Sequence, residues 1–342
     1  MCSLWDDLES LTDSASCSSS ADLGNRGTIK AAAHFDPSED AEALKAAMKG
    51  FGTKDKVLID ILTQRSCEQR QLIAEAYQDA TGSALQDDLE GETRGDFEDV
   101  LVALVSTPAA YDCHEVMRAM KGAGSKDDIL IEIFASRTNE QIKALSDVYL
   151  NEKENLLIKD LRKEVGGDFS KALFLLAEGE RDESTGVDVD GAKEDAQALY
   201  EASEKKWGTD ESAFIEILCQ RSEAQLRQIF VEYKSISGKT LQHSIEGEMS
   251  GELEELLVAI VKCVKSRPAY FAERLHESMK GGGTDEATLH RIMVSRSEID
   301  LLDVRKEFKK LYDESLHSAL ESDLSGDHGD CVLAICGGDD GD

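Results

Sequence analysis

Four times along this chain the same residue types recur at the same separations. A glycine is followed 13 positions on by an arginine, 40 on by a carboxylate and 43 on by a second glycine. The opening glycines are Gly52, Gly124, Gly208 and Gly283, and the arginines Arg65, Arg137, Arg221 and Arg296. The acids are Glu92, Glu164, Glu248 and Asp323, and the closing glycines Gly95, Gly167, Gly251 and Gly326. Three of the opening glycines end a G-x-G segment: Met48-Lys49-Gly50-Phe51-Gly52-Thr53, Met120-Lys121-Gly122-Ala123-Gly124-Ser125 and Met279-Lys280-Gly281-Gly282-Gly283-Thr284. Two glycines two apart permit positive φ and can turn several carbonyl oxygens toward one point, a place that suits a hard cation. Calcium takes about six to eight oxygen ligands, so a carboxylate arriving from a distant turn would complete a half-shell of protein donors. Alone, such a segment reads as a tight helix connection and such an acid as a helix cap. Four copies at one separation favour the cation site, because a turn needs no carboxylate 40 residues away. The third copy, Glu204-Lys205-Lys206-Trp207-Gly208-Thr209, lacks the first glycine.

Self-similarity at a period of 72 to 84 residues makes the fold a four-unit repeat. Only three prolines (Pro37, Pro108, Pro268) interrupt amphipathic patterning with few β-branched alternations, so the expected class is all-α. The expected units are an N-terminal tail over 1–34 and repeats over 35–107, 108–178, 191–265 and 266–342, with a polar linker at 179–190. In the first repeat Pro37 and Ser38 open a helix ending at Gly50, and Thr53, with Asp55 in the first turn, caps the next, which runs to about Arg65. Further helices are expected over about 68–77, 83–91 and 96–105, five short helices per repeat. Asp188, Asp190 and Gly191 in the linker fail as an EF-hand loop, since Gly186 and Gln197 would fill its first and twelfth positions.

The formal net charge of −32 excludes nucleic-acid binding by phosphate neutralisation and opposes unaided docking to an anionic membrane. Divalent metal is the simplest mediator. The amino terminus has no basic segment before an apolar stretch, and no apolar run approaches the roughly 20 residues that span a bilayer, so a cytoplasmic protein, peripheral on membranes when calcium rises, is expected. Eight cysteines without a C-x-x-C pair fit a reducing compartment and structural thiols. No G-x-S-x-G or P-loop is present and the seven histidines show no ligand spacing, so catalysis is not expected. In the tail, Leu4, Trp5, Leu8 and Leu11 fall at helical spacing. They could pack on the core or on a partner, an EF-hand protein being the partner to test, as in a scaffold acting through its tail.

Over residues 35–342 the loops MKGFGT, MKGAGS, KKWGT and MKGGGT, with their distant acids, resemble the annexin family. The resemblance implies a curved disc of four five-helix repeats that binds acidic phospholipid membranes through calcium. It implies carbonyl ligands from Met48, Gly50 and Gly52 with Glu92, from Met120, Gly122 and Gly124 with Glu164, from Lys206 and Gly208 with Glu248, and from Met279, Gly281 and Gly283 with Asp323. Secondary sites would use Thr53 with Asp55, and Glu98. Ser203, where some relatives carry glycine, and Lys159-Asp160, in place of an Asp-Asp pair, imply weaker sites. Asp112, Glu115, Glu132, Arg137 and Arg291 match positions lining a polar channel between the two halves of annexins, so ion conduction stands as an alternative function. The repeated arginines are also explained as cations at helix ends. Phospholipase inhibition would follow from covering the lipid. Trp207, at the variable position of the third loop, is expected at the membrane-contacting face.

Overall fold

The structure, a computed structural model, describes residues 26–49, 52–121, 126–203 and 210–339. Among these residues are nineteen helices and no strand. The first repeat contains α1 (Pro37–Met48), α2 (Asp55–Leu62), α3 (Cys67–Thr81), α4 (Leu85–Glu92) and α5 (Asp96–Val105). The second contains α6 (Pro108–Ala119), α7 (Asp127–Ser136), α8 (Asn139–Lys153), α9 (Leu157–Glu164) and α10 (Gly167–Ala177). The third begins with α11 (Val189–Ser203), α12 (Glu211–Gln220), α13 (Glu223–Ser237) and α14 (Leu241–Glu248). Then α15 (Glu252–Ser278) carries the chain into the fourth, which continues with α16 (Glu286–Arg296), α17 (Leu301–Tyr312), α18 (Leu316–Asp323) and α19 (Gly326–Cys336). Ser266, two residues before Pro268, is non-helical (φ −160°, ψ 102°), so α15 is two helices joined at a kink.

Local chemistry sets these boundaries. Ser66 and Thr138 accept from the backbone N–H of Gln69 and Gln141, whose side chains return to the cap N–H in capping boxes. The third helix of each repeat ends in a left-handed residue: Gly82 (φ 80°), Glu154 (φ 51°), Gly238 (φ 74°) and Asp313 (φ 56°). Thr53 does not cap α2. The cap is Lys54 without a side-chain bond, and the Thr53 hydroxyl instead donates to the Glu92 carbonyl at 3.1 Å.

Each repeat buries an aliphatic stripe from every helix, as Leu44, Leu58, Leu62, Ile73, Leu89 and Leu101 do in the first. The chain divides into two compact units. Residues 109–270, the second and third repeats, form one. The linker is laced into it: the Asn139 Nδ2 donates to the Arg181 carbonyl at 2.8 Å, and Arg181 Nη1 donates to the Arg221 carbonyl at 3.0 Å. Asp188 caps α11 by accepting from the N–H of Asp190 and Gly191. The first and fourth repeats belong to the other unit. There Glu298 accepts from Cys67 N at 2.7 Å and from Arg70 at 2.9 Å, tying the fourth repeat to the first. Residues 26–30, assigned to the tail on sequence grounds, run along the fourth repeat. Arg26 and Ile29 donate to the carbonyls of Ile299 and Ser297, and Thr28 donates to that of Ile335 at 2.6 Å.

Candidate calcium sites

The four acids share one position. Glu92, Glu164, Glu248 and Asp323 are each the last residue of the eight-residue fourth helix of their repeat, and each is exposed. An extended residue follows each, and the closing glycines then take positive φ: Gly95 63°, Gly167 66°, Gly251 75° and Gly326 68°. That left-handed step disfavours any residue with a side chain, which accounts for the fourth member of the sequence signature.

The loops are closed across their bases by backbone hydrogen bonds: Lys54 N to Ala47 O, Lys126 N to Ala119 O, Asp210 N to Ala202 O and Asp285 N to Ser278 O. The third closure spans one residue more than the others. Two loops are described far enough to relate them to their acids. In the fourth repeat the Thr284 hydroxyl donates to Asp323 Oδ2 at 2.5 Å, so the distant carboxylate does reach the glycine loop. In the first, Thr53 holds the backbone carbonyl of Glu92 and leaves its carboxylate exposed. Gly52 (φ 86°) and Gly281 (φ 120°) are left-handed, whereas Gly283 is not, so one glycine rather than both takes that conformation in the fourth loop. Carbonyl oxygens of a glycine loop beside one carboxylate make an all-oxygen donor set that fits a hard divalent cation. Met48 is buried and Met120 and Met279 are half-buried. Gly50, Gly122, Gly124, Lys206, Trp207 and Gly208 lie outside the described residues. Asp55 and Glu98 sit in the first turns of α2 and α5, and burial and then Asp327 raise the Asp55 carboxyl above its ordinary range.

Asp112, Glu115, Glu132 and Arg137 are buried in the unit of residues 109–270, and Arg291 is buried in the other. Arg137 makes a two-pronged pair with Asp112 at 2.7 and 2.8 Å, and Arg118 binds Glu115 at 2.6 Å. Arg291 donates to the Thr288 hydroxyl at 3.2 Å. The repeated arginines do more than face a helix end. Arg65 pairs with Asp40 and Arg221 with Asp195, in each case on the first helix of the same repeat. In the Lys159-Asp160 pair, read as a departure, Asp160 keeps the usual acid's contact: it accepts from the Tyr149 hydroxyl at 2.9 Å, as Asp88 does from Tyr77.

The annexin family model matches residues 39–104, 111–176, 194–260 and 270–335. The chain belongs to the annexin family. It is 55% identical to human annexin A3 over 318 residues, covering 93% of this chain and 98% of that protein. The solved structure of annexin III overlays with a TM-score of 0.91 at 55% identity, covering 93% of this chain and 99% of the other. That of calcium-bound annexin (Sm)1 overlays with a TM-score of 0.82 at 35% identity, covering 92% and 93%. Annexins are calcium-dependent binders of acidic phospholipid membranes and are generally non-enzymatic, and Ca2+ is the ion of this annexin's family. No helix among the described residues of this annexin is long and apolar enough to cross a membrane.

Sequence reasoning found no ligand spacing among the histidines, and here it was incomplete. His290 on α16 and His328 on α19 face each other with Nε2 atoms 2.6 Å apart. Glu286, one turn before His290, places Oε2 at 3.5 Å from His328 Nε2 and 4.0 Å from His290 Nε2. Burial, then Asp96, Asp323 and Asp285, push the Glu286 carboxyl up to about 7. Burial lowers the His328 imidazole, against the pull of Asp96 and Asp99. The Glu286/His290 i, i+4 pair was visible in the sequence; its meeting with His328 was not.

Proposed function

We propose that this annexin docks reversibly on acidic phospholipid surfaces through calcium held at its interhelical loops, with the four acids at positions 92, 164, 248 and 323 as the charged ligands. The contact of Thr284 with Asp323 carries the reading, because it brings the carboxylate from 39 residues away to the glycine loop. The residues that would hold the ion are the carbonyls of Met48, Gly50 and Gly52 with Glu92, and their counterparts in the other repeats. Thr53 with Asp55, and Glu98, supply secondary sites. Calcium, when bound, offers open coordination positions to a lipid phosphate oxygen. One carboxylate per loop is fewer than an EF-hand provides, so calcium alone binds weakly, on the order of 10⁻⁴ M or worse. Lipid and calcium then strengthen each other by linkage, and several loops together add avidity.

The same reading makes the protein cytoplasmic until calcium rises, places Trp207 at the lipid interface, and has phospholipases inhibited by occlusion of their substrate. The tail residues Leu4, Trp5, Leu8 and Leu11 are a candidate segment for an EF-hand partner. The buried pairing of Asp112 with Arg137 supports a structural role for the interior polar residues over ion conduction. Sedimentation with phosphatidylserine vesicles across a calcium titration tests the core of this reading. Binding should rise steeply with calcium and reverse on chelation; equal binding in excess chelator would refute it.

A further inference from the structure

Glu286, His290 and His328 form a cluster beside the fourth glycine loop whose donor atoms differ from the loop's. Two imidazole nitrogens and one carboxylate oxygen lie within 4.8 Å of one another on α16 and α19, in the unit that holds both helices. His290 is 97% removed from solvent by its 3% exposure, and Glu286 Oε2 is buried with no hydrogen-bond partner among the described residues. A buried carboxylate oxygen without a donor is costly, and here it faces two nitrogens that can act as Lewis bases. Asp96 and Asp99 on α5, together with Asp285 and Asp323, add negative charge around the cluster.

From this arrangement we infer that Glu286, His290 and His328 form a binding site for a divalent transition metal of the Zn2+ class, distinct from the calcium loops. Calcium is a poor occupant because two of the three donors are nitrogen, whereas imidazole with carboxylate suits zinc. The spacing also fits. Tetrahedral ligands about 2.0–2.1 Å from zinc stand roughly 3.3 Å from each other. The 3.5 Å between Glu286 and His328 is already close to that, and the histidine pair would open from its present 2.6 Å. Three protein ligands leave a fourth position for water. Because α16 follows directly from the fourth glycine loop and α19 closes the repeat, the metal would pin these two helices together.

The full-length protein, stripped with a chelator and then held in excess Ca2+ to fill the loops, is titrated with Zn2+ against a zinc-responsive dye. One equivalent of zinc should bind despite the calcium and raise the melting temperature. Glu286→Gln and His328→Gln should each weaken that equivalent by at least about tenfold, whereas His114→Gln at an exposed position should not. Helicity by circular dichroism establishes that the variants fold. Should the histidine variant fail to fold, Glu286→Gln decides, together with anomalous scattering at the zinc edge from the unaltered protein, where a peak between His290 Nε2 and His328 Nε2 is expected. Zinc displaced by calcium, zinc affinity unchanged in Glu286→Gln, or no anomalous peak at this position would each overturn the proposal.

Discussion

The repeated arginine has one partner type in the first three repeats and another in the fourth. Arg65, Arg137 and Arg221 reach back to Asp40, Asp112 and Asp195 on the first helix of their own repeat, locking first helix to second. In the fourth repeat the corresponding first-helix residue is Phe271. Arg296 lays its guanidinium over that ring, 4.7 Å from the centroid, and binds Asp300 with two bonds of 2.7 Å. The same side chain thus fastens two different joints: first helix to second by an ion pair, or first helix by ring stacking and the following turn by a buried pair. Burial separates the fourth joint from the third but not from the second, where the Arg137 and Asp112 side chains are 2% and 8% exposed. Arg296 and Asp300 are 4% and 1% exposed, whereas Arg221 is 42% exposed.

The largest expected effect breaks the fourth joint. Asp300→Ala removes both 2.7 Å carboxylate bonds from a buried guanidinium and should lower stability by about 3–5 kcal/mol in chemical denaturation. A loss below that of Asp195→Ala would mean burial does not rank these pairs. Next, Asp323→Ala should raise the calcium needed for half-maximal vesicle binding by about tenfold, equivalent to ~1.4 kcal/mol. Glu92→Ala should do the same for its loop, and both should keep wild-type helicity. No change in the double variant would mean these loops are not the docking sites. Asp195→Ala, at a solvent-screened pair, should cost only about 0–1 kcal/mol by the same denaturation measurement. The smallest effect has the opposite sign. Glu154→Gly and Asp313→Gly replace left-handed residues that bear side chains by the residue used at Gly82 and Gly238, and should each stabilise by roughly 0.5–1 kcal/mol; melting points equal to or below wild type would oppose this.

These particulars also explain what could be read from sequence alone. The closing glycines and the four acids keep a fixed separation because each pair spans one unbroken turn at the end of the fourth helix, where an insertion would destroy the left-handed step. The arginine partners escape the same search. The third loop is one residue longer at its base, so the Asp–Arg separation is 25 in two repeats and 26 in the third, and in the fourth the acid is replaced by Phe271. The left-handed helix ends were half legible, glycine marking two and Glu154 and Asp313 concealing the others. Thr53 misled because a threonine before a helix resembles a cap, while its hydroxyl is spent on a contact 39 residues away. The histidine cluster joins positions 38 apart, a separation no local periodicity announces.

The run along the fourth repeat near Gly27 also sets where this protein can be shortened. A Cβ at position 27 would lie 2.4 Å from the backbone of Glu298, so the strap through residues 26–30 admits no larger residue there without moving the turn that also receives Cys67 and Arg70. Trimming the amino terminus up to residue 25 leaves every one of those bonds in place. Trimming to residue 30 removes the bonds of Arg26, Thr28 and Ile29 together. For anyone attaching a label or deleting the serine-rich stretch, a cut that keeps Arg26 onward is the one that keeps the strap's own bonds.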